Sequence, residues 1–355
     1  MITISICIIV KDEEKVLSRA LNSVKDIADE IIIVDTGSKD KTKDIAKNFT
    51  NKLYDFKWEY DFSKARNYSF SKATKDYIMW LDADDVILSE DLEKIKELKK
   101  NLNTQYDILM FKYNTGFDEN GNVNFSYYRE RLLKREKNYI WKSPIHEVIE
   151  LHGKILYTDI AITHRKEKNE YSNRNLLIFE KMIKEGTTLD ARQQFYYARE
   201  LYYNKKYKKS IKNFNIFLND KEGWIENKIN ACIDLSNCYF ELNDLENGFI
   251  SLTRSFLYDK PRAEVCCKIG EFFMLNKQYL KAIFWYKTAS DCLLDLSRGG
   301  FYNIDCYNFI PYIELCVCYY KIGDLENSKK YNELAGKIKP TNSIYLSNKA
   351  FFESL

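Results

Sequence analysis

"YIMWLDADDV", residues 77–86, decides how the first half of this 355-residue chain is read. Five uncharged residues, two of them aromatic, run straight into Asp82, Asp84 and Asp85. A segment apolar on both faces is a strand buried between two layers, as in a parallel sheet covered by helices. The carboxylates at its end admit two explanations. They form a solvated turn leading into the helix "SEDLEKIKELKK", or they are oxygen ligands for magnesium or manganese, with the small Ala83 letting the turn close. Asp-x-Asp by itself does not choose between them.

The surrounding sequence places this strand in a sheet. "ISICIIV" (4–10), "EIIIVD" (30–35) and "KLYDF" (52–56) are further strands. Between them, "EEKVLSRALNSVKDIA", "TGSKDKTKDIAKNF" and "FSKARNYSFSKA" carry helical periodicity or helix-start signals. Strands alternating with helices of roughly ten to fifteen residues predict a parallel, doubly wound sheet, which binds ligands at the carboxyl ends of its strands. Asp12, Asp35 and Asp82 all fall just past strand ends, on one rim. Asp35 is there either as a plain turn residue or as an acceptor for a nucleoside. No G-x-G-x-x-G is near it, which argues against a dinucleotide cofactor. Further on, "YDILMFKYNT" and "NVNFSYYRERLLKR" predict antiparallel ribbons added to the sheet.

Residues 169–355 contain almost no strand signal and repeat themselves. "YARELYYNKKYKKSIKNFNIF", "LSNCYFELNDLENGFISLTRSF", "IGEFFMLNKQYLKAIFWYKTA" and "LCVCYYKIGDLENSKKYNELA" align on Ala198, Ser236, Gly270 and Cys316, at intervals of 38, 34 and 46. A period of about 34 with a helix–turn–helix layout is that of tetratricopeptide repeats. The long last interval holds an insertion near 295–308. The chain thus reads as an α/β domain over 1–168 and an all-α, tetratricopeptide-like domain over 169–355. Such a stack is a docking surface rather than a catalyst.

Composition narrows the function. Fifty-five basic residues against 52 acidic ones give a net charge of +3, and the tyrosines fall at helical-core spacing, so nucleic-acid binding is not expected. No run approaches the ~20 apolar residues of a membrane span. "MITISICIIVKDEE" reads as a strand, not a signal peptide. Nine scattered cysteines show neither a disulfide framework nor zinc spacing, which predicts reduced thiols in a cytoplasmic protein.

Together, "VKDEEKVLSRAL", "IIIVDTGSKDKT", "FSKARNYSFSKA" and "YIMWLDADD", in this order, resemble family 2 glycosyltransferases of the GT-A (Rossmann-like) fold over roughly residues 3–165. The resemblance is greatest to the subgroup that continues into a tetratricopeptide-like domain, which includes sublancin-type S-glycosyltransferases and lipopolysaccharide-core glucosyltransferase-like proteins. It implies an inverting transferase that moves a hexose or N-acetylhexosamine from a UDP-sugar with Mn2+ or Mg2+. Backbone at Val10, with Glu13 and Asp35, would meet the uracil and ribose. Arg66 and Asn67 would lie near the diphosphate and ribose, Asp82 would contact ribose or sugar, and Asp84 would ligate the metal. Asp85 is left to the turn. The pair His146–Glu147 matches, in order, an acid motif that such enzymes carry at a helix tip. Glu147 is therefore the expected base, beside His146, and His164 the late histidine ligand. Trp141 and Pro144 would shape the acceptor wall. Arg131 or Arg135 would approach the phosphates, or else form a solvated basic edge; His152 is assigned nothing.

The expected acceptor is a protein or peptide, modified on oxygen or sulfur and recruited by the repeats, which could also pair two copies of the chain. A polysaccharide or lipid-linked acceptor is the alternative. A non-catalytic adaptor with a vestigial transferase domain would show broken motifs, whereas Asp35, Asp82, Asp84 and Glu147 are all present.

Overall fold

The computed structural model describes residues 1–118, 121–167, 173–295 and 298–355. Three buried apolar runs are strands, β1 (Ile4–Val10), β2 (Glu30–Asp35) and β4 (Tyr77–Leu81), and the short, partly exposed β3 (Leu53–Asp55) lies between the last two in sequence. Between them lie α1 (Leu17–Val24), α2 (Thr42–Lys47) and α3 (Phe62–Ser71). β5 (Asp85–Val86) and α4 (Ser89–Asn101) follow, then β6 (Ile108–Phe117), β7 (Val123–Lys134), the short hairpin β8 (Trp141–Lys142) and β9 (Val148–Ile149), and β10 (Ile155–His164).

The main sheet has the order β3-β2-β1-β4-β7-β6-β10-β5. β1 pairs in parallel with both β2 and β4, and β2 with β3, so the expected parallel core is present. β7 joins antiparallel to β4, while β10 runs parallel to β6. Alternate residues of β1 feed two cores, as the period of a strand requires. Ile4, Ile6 and Ile8 pack with Leu17, Leu21 and Val24 of α1, and Cys7 packs on the other face with Phe70, Trp80 and Trp141. Each such side chain contributes about 1.5–3 kcal/mol by leaving water. These cores fix the strand ends on which the acids sit.

The chain divides into two compact units, Met1–Thr115 with Ser126–Glu185, and Gly116–Phe125 with Gly186–Leu355. The boundary expected at 168/169 lies outside the described residues. Helix α5 (Arg174–Lys184), although it follows that point, is part of the first unit.

The second unit is a run of helical hairpins: α6 (Ala191–Tyr203) with α7 (Tyr207–Asn219), α8 (Ile225–Glu241) with α9 (Leu245–Arg254), α10 (Ala263–Leu275) with α11 (Tyr279–Ser290), and α12 (Phe309–Lys321) with α13 (Leu325–Ile338). Helix α14 (Ser343–Glu353) ends it. Each hairpin turn has one left-handed residue, Lys205, Asn243, Lys277 and Gly323, at φ 57°, 58°, 58° and 83°. These positions recur at the same intervals of 38, 34 and 46 as the small residues Ala198, Ser236, Gly270 and Cys316, each seven residues upstream. All four small residues are buried, because each lets two helices approach closely. A Cβ on Gly270 would meet the Tyr286 ring at 2.9 Å, and Ser210 and Ser328 donate to the carbonyls of Ala198 and Cys316 at 2.8 and 2.7 Å. Among the described residues no helix is long and apolar enough to cross a membrane.

Candidate active site

At the end of β4, Arg66 is the hinge of the arrangement. One turn into α3, it is 8% exposed and sandwiched near the faces of Trp80 and Trp141, at 4.8 and 5.0 Å. Its Nε donates to Glu147 Oε1 at 2.6 Å and its Nη2 to Asp82 Oδ1 at 2.7 Å. Burial opposes the guanidinium charge, but the two carboxylates outweigh it and keep Arg66 protonated. Burial would likewise raise the Asp82 carboxyl, yet Arg66 and Arg131 hold it well below the usual carboxylate range. The neighbouring Asn67 exchanges two hydrogen bonds with the backbone of Trp141, donating at 2.9 Å and accepting at 2.8 Å. This fixes the start of the segment that carries Glu147. The His146–Glu147 pair sits in the loop between β8 and β9, not at a helix tip, and His146 is left-handed at φ 49°. Glu147 Oε2 has no hydrogen-bond partner among the described residues.

From Asp82 the network continues. The Asp82 N–H donates to Asp85 Oδ2 at 3.1 Å, and Arg131 Nη1 lies 3.1 Å from the same oxygen. The Tyr113 hydroxyl donates to Asp85 Oδ1 at 2.8 Å, and His164 Nδ1 lies 3.2 Å from that oxygen and 3.4 Å from Asp84 Oδ1. Asp85 faces His164 across the antiparallel β5–β10 pair. Asp85 is thus fully buried and holds four partners, more than the turn assigned to it. Arg131, one of the two positions expected near phosphates or on a solvated edge, is also 0% exposed, beneath Trp80 and Tyr113 at 3.8 and 4.2 Å. Arg135 is exposed and donates to the Lys75 carbonyl. Tyr113 and the role of Asp85 were not visible in the sequence: both follow from which strand β10 pairs with.

The ligand atoms of Asp84, Asp85 and His164 lie within 4.8 Å of one another. Two carboxylates and an imidazole are a donor set for manganese, and the oxygens alone suit magnesium. The charge also fits. Asp82, Asp84, Asp85 and Glu147 are four carboxylates, and the guanidinium groups of Arg66 and Arg131 are two. Burial, with Asp82 and Asp85 alongside, raises the Asp84 carboxyl despite His164, the response of an acid crowded by its own kind. Burial works against charge on His164 too, but Asp85 and Asp84 outweigh it and raise its pKa.

The remaining candidates gather at the ends of β1 and β2, where Val10 pairs with Asp35. Asp35 Oδ1 accepts from the N–H groups of Gly37 and Ser38 at 2.9 and 3.0 Å, a turn that Gly37 closes at φ 106°. Its Oδ2 is buried with no hydrogen-bond partner, the state of an acceptor that a ligand hydroxyl would satisfy. The Val10 carbonyl accepts from the N–H and hydroxyl of Thr36, and the Glu13 N–H donates to Thr42 Oγ1 at 2.7 Å.

An open α/β sheet with acids gathered at its strand ends, followed by helical hairpins, is the architecture of a GT-A-like transferase joined to a repeat domain. Residues 5–156 match the family model "Glycosyl transferase family 2". Over 252 residues the chain is 30% identical to the SPbeta prophage-derived glycosyltransferase SunS of Bacillus subtilis, covering 65% of this chain and 58% of that protein. A TPR repeat-containing protein of Synechococcus elongatus is 39% identical over 150 residues, 42% of this chain and 36% of its own length. The chain therefore spans between a third and three-fifths of these relatives. Staphylococcus aureus TarS 1–349 in complex with UDP aligns over 71% of this chain and 91% of its own, at 14% identity and a TM-score of 0.36, too low to bear on function.

Proposed function

We propose that this chain is an inverting glycosyltransferase that takes a hexose or N-acetylhexosamine from a UDP-sugar, with manganese or magnesium, to a protein or peptide acceptor. The observation that carries this reading is the continuous network Glu147–Arg66–Asp82–Asp85–His164–Asp84 at the strand ends, with two more carboxylates than guanidinium groups. It is supported by the match of residues 5–156 to the glycosyl transferase family 2 model.

Asp35 Oδ2, with Glu13 and the backbone at Val10, receives the nucleoside. Arg66 and Asn67 border the diphosphate and ribose, and Asp82 accepts from the ribose or sugar. Asp84 and His164, backed by Asp85, would hold the cation, which offsets charge developing on the departing diphosphate. Glu147 is held through Oε1 by Arg66, so Oε2 is the oxygen that takes the acceptor proton. The acceptor oxygen or sulfur bonds to the anomeric carbon as that carbon's bond to the phosphate oxygen breaks. UDP leaves with the electron pair and the proton ends on Glu147. The helical hairpins present a long surface suited to an extended polypeptide, and serve to recruit the acceptor or a second copy of the chain.

The test is thermal stabilisation by UDP, with and without manganese, followed by hydrolysis of a panel of UDP-sugars. UDP should raise the melting temperature more with manganese than alone, and one sugar should be hydrolysed preferentially. No shift under either condition would refute the donor site.

A further inference from the structure

Cysteines that look scattered along the sequence meet in pairs in the helical unit. Helix α10 carries Cys266 and Cys267 side by side, and the chain beyond α11 brings a second thiol to each. The Cys266 thiol is hydrogen-bonded to that of Cys292, and the Cys267 thiol to that of Cys306. Cys292 Sγ also lies 3.4 Å from the Pro261 carbonyl, just ahead of α10, and 3.2 Å from that of Thr288. Cys267 Sγ lies 3.5 Å from the Cys306 carbonyl. All four belong to one apolar cluster with Ala282, Tyr286 and Leu315. Thiols gathered in this way serve metal binding or redox chemistry. Among the described residues no three of these sulfurs converge as metal ligands, so the arrangement is two dithiols rather than one metal centre.

The pairs differ in access. Cys266, Cys267 and Cys306 are buried, whereas Cys292 is the one cysteine of the nine that is only half-buried. The hydrogen bond from Cys266 lowers the pKa of Cys292, and Lys260 adds to this against burial, Glu264 and Asp291. The same hydrogen bond, with burial, raises Cys266. A more acidic, accessible thiol beside a neutral, buried one is the pattern in which the first meets an oxidant and the second resolves it.

We propose that Cys266 and Cys292 are a modification site of the helical unit, a dithiol that a hydroperoxide oxidises to a disulfide. With hydrogen peroxide, the Cys292 thiolate attacks one oxygen and the O–O bond breaks. Hydroxide leaves and takes the proton that Cys292 gave up. The Cys266 sulfur then attacks the sulfur of the Cys292 sulfenic acid, the S–O bond breaks, and hydroxide leaves as water with the Cys266 proton. Two thiols are oxidised and one peroxide is reduced to two waters. The α10–α11 hairpin, closed at one end by its turn at Lys277, is thereby closed at the other. Neither step uses a group of the donor site.

The experiment treats the full chain with hydrogen peroxide, counts thiols after denaturation, and maps linkages by mass spectrometry of an unreduced digest. Free thiols should fall from nine to seven, with one linkage, Cys266 to Cys292, that dithiothreitol reverses. Cys266→Ala should leave Cys292 as a sulfenic acid that dimedone labels, and Cys292→Ala should keep every remaining thiol. No loss of thiols in the wild-type chain, or a linkage between Cys267 and Cys306 instead, would overturn the assignment. Because that map is read on the wild-type chain, it does not depend on how well either variant folds. Loss of two thiols from a folded Cys292→Ala variant would overturn the assignment as well.

Discussion

Two clusters of arginine and carboxylate stand in different halves of this molecule, and they are composed differently. In the helical unit, Glu226 accepts from Arg262 and lies 3.1 Å from Arg298, while Arg298 also pairs with Asp259. Two acids meet two guanidinium groups, and the Tyr302 hydroxyl adds a third donor to Glu226. At the end of β4, four carboxylates stand with two guanidinium groups and the His164 imidazole, and Glu147 keeps an unengaged oxygen. A balanced cluster staples its surroundings, here the insertion after α11. One with surplus negative charge costs stability unless something positive arrives, which is the mark of a site.

The contrast is tested most severely at Glu147. Glu147→Gln removes the proton acceptor but keeps a partner for Arg66, which retains Asp82. Transfer should fall by about 10²–10⁴-fold, with UDP binding and melting temperature nearly unchanged. Retained turnover, measured with the donor that the hydrolysis panel selects, would move the base elsewhere.

The opposite result is expected in the helical unit. Glu226→Gln leaves Arg262, 8% exposed, without its buried counterion. Breaking such a pair costs about 3–5 kcal/mol, to be read by denaturant unfolding, while UDP binding should stay as it was. If donor binding fell as well, the two clusters would not be independent.

What could be read in advance of the fold follows the range of the interactions. β1, β2 and β4 end where their apolar runs end, so Asp35 and Asp82 were placed on one rim from local pattern. The hairpin register was legible too, because each repeat carries its own small residue and turn. Arg131 was not, since its burial depends on β7 lying antiparallel to β4, with Met79 opposite Leu132. Asp85 looked like a turn acid because its partners, Tyr113 and His164, come from 28 and 79 residues away. The part that α5 plays in the first unit left no signal, as amphipathic helices look alike whichever unit they cover.

Glu30 extends the comparison to acid pH. It is 7% exposed and saturated, accepting from Ser5 and from the N–H and hydroxyl of Thr74, and paired with Lys52. Burial opposes its charge, but Lys52 and the hydroxyl and backbone donors win and lower its pKa from 4.5 to about 2. A lowered folded-state pKa gives stability that is complete above about 4.5 and lost as pH falls through about 2. The loss should be about 3 kcal/mol. Unfolding measured across that window should show this acid limb, and Glu30→Gln should flatten it.

Asp84 should behave in the reverse sense, with the smallest effect. Its side chain is a quarter exposed, between Asp82 and Asp85, and His164 is the group facing it. Without a cation its charge adds to the surplus at the rim. Asp84→Asn should therefore leave the metal-free protein as stable or slightly more so, by on the order of 1 kcal/mol or less. The same substitution should abolish the added stabilisation that manganese gives to the UDP complex. Both quantities come from one set of melting curves, run with chelator, with manganese, and with manganese and UDP. A variant less stable in chelator, yet still responsive to manganese, would make Asp84 a second staple and reduce the contrast between the clusters to one of location.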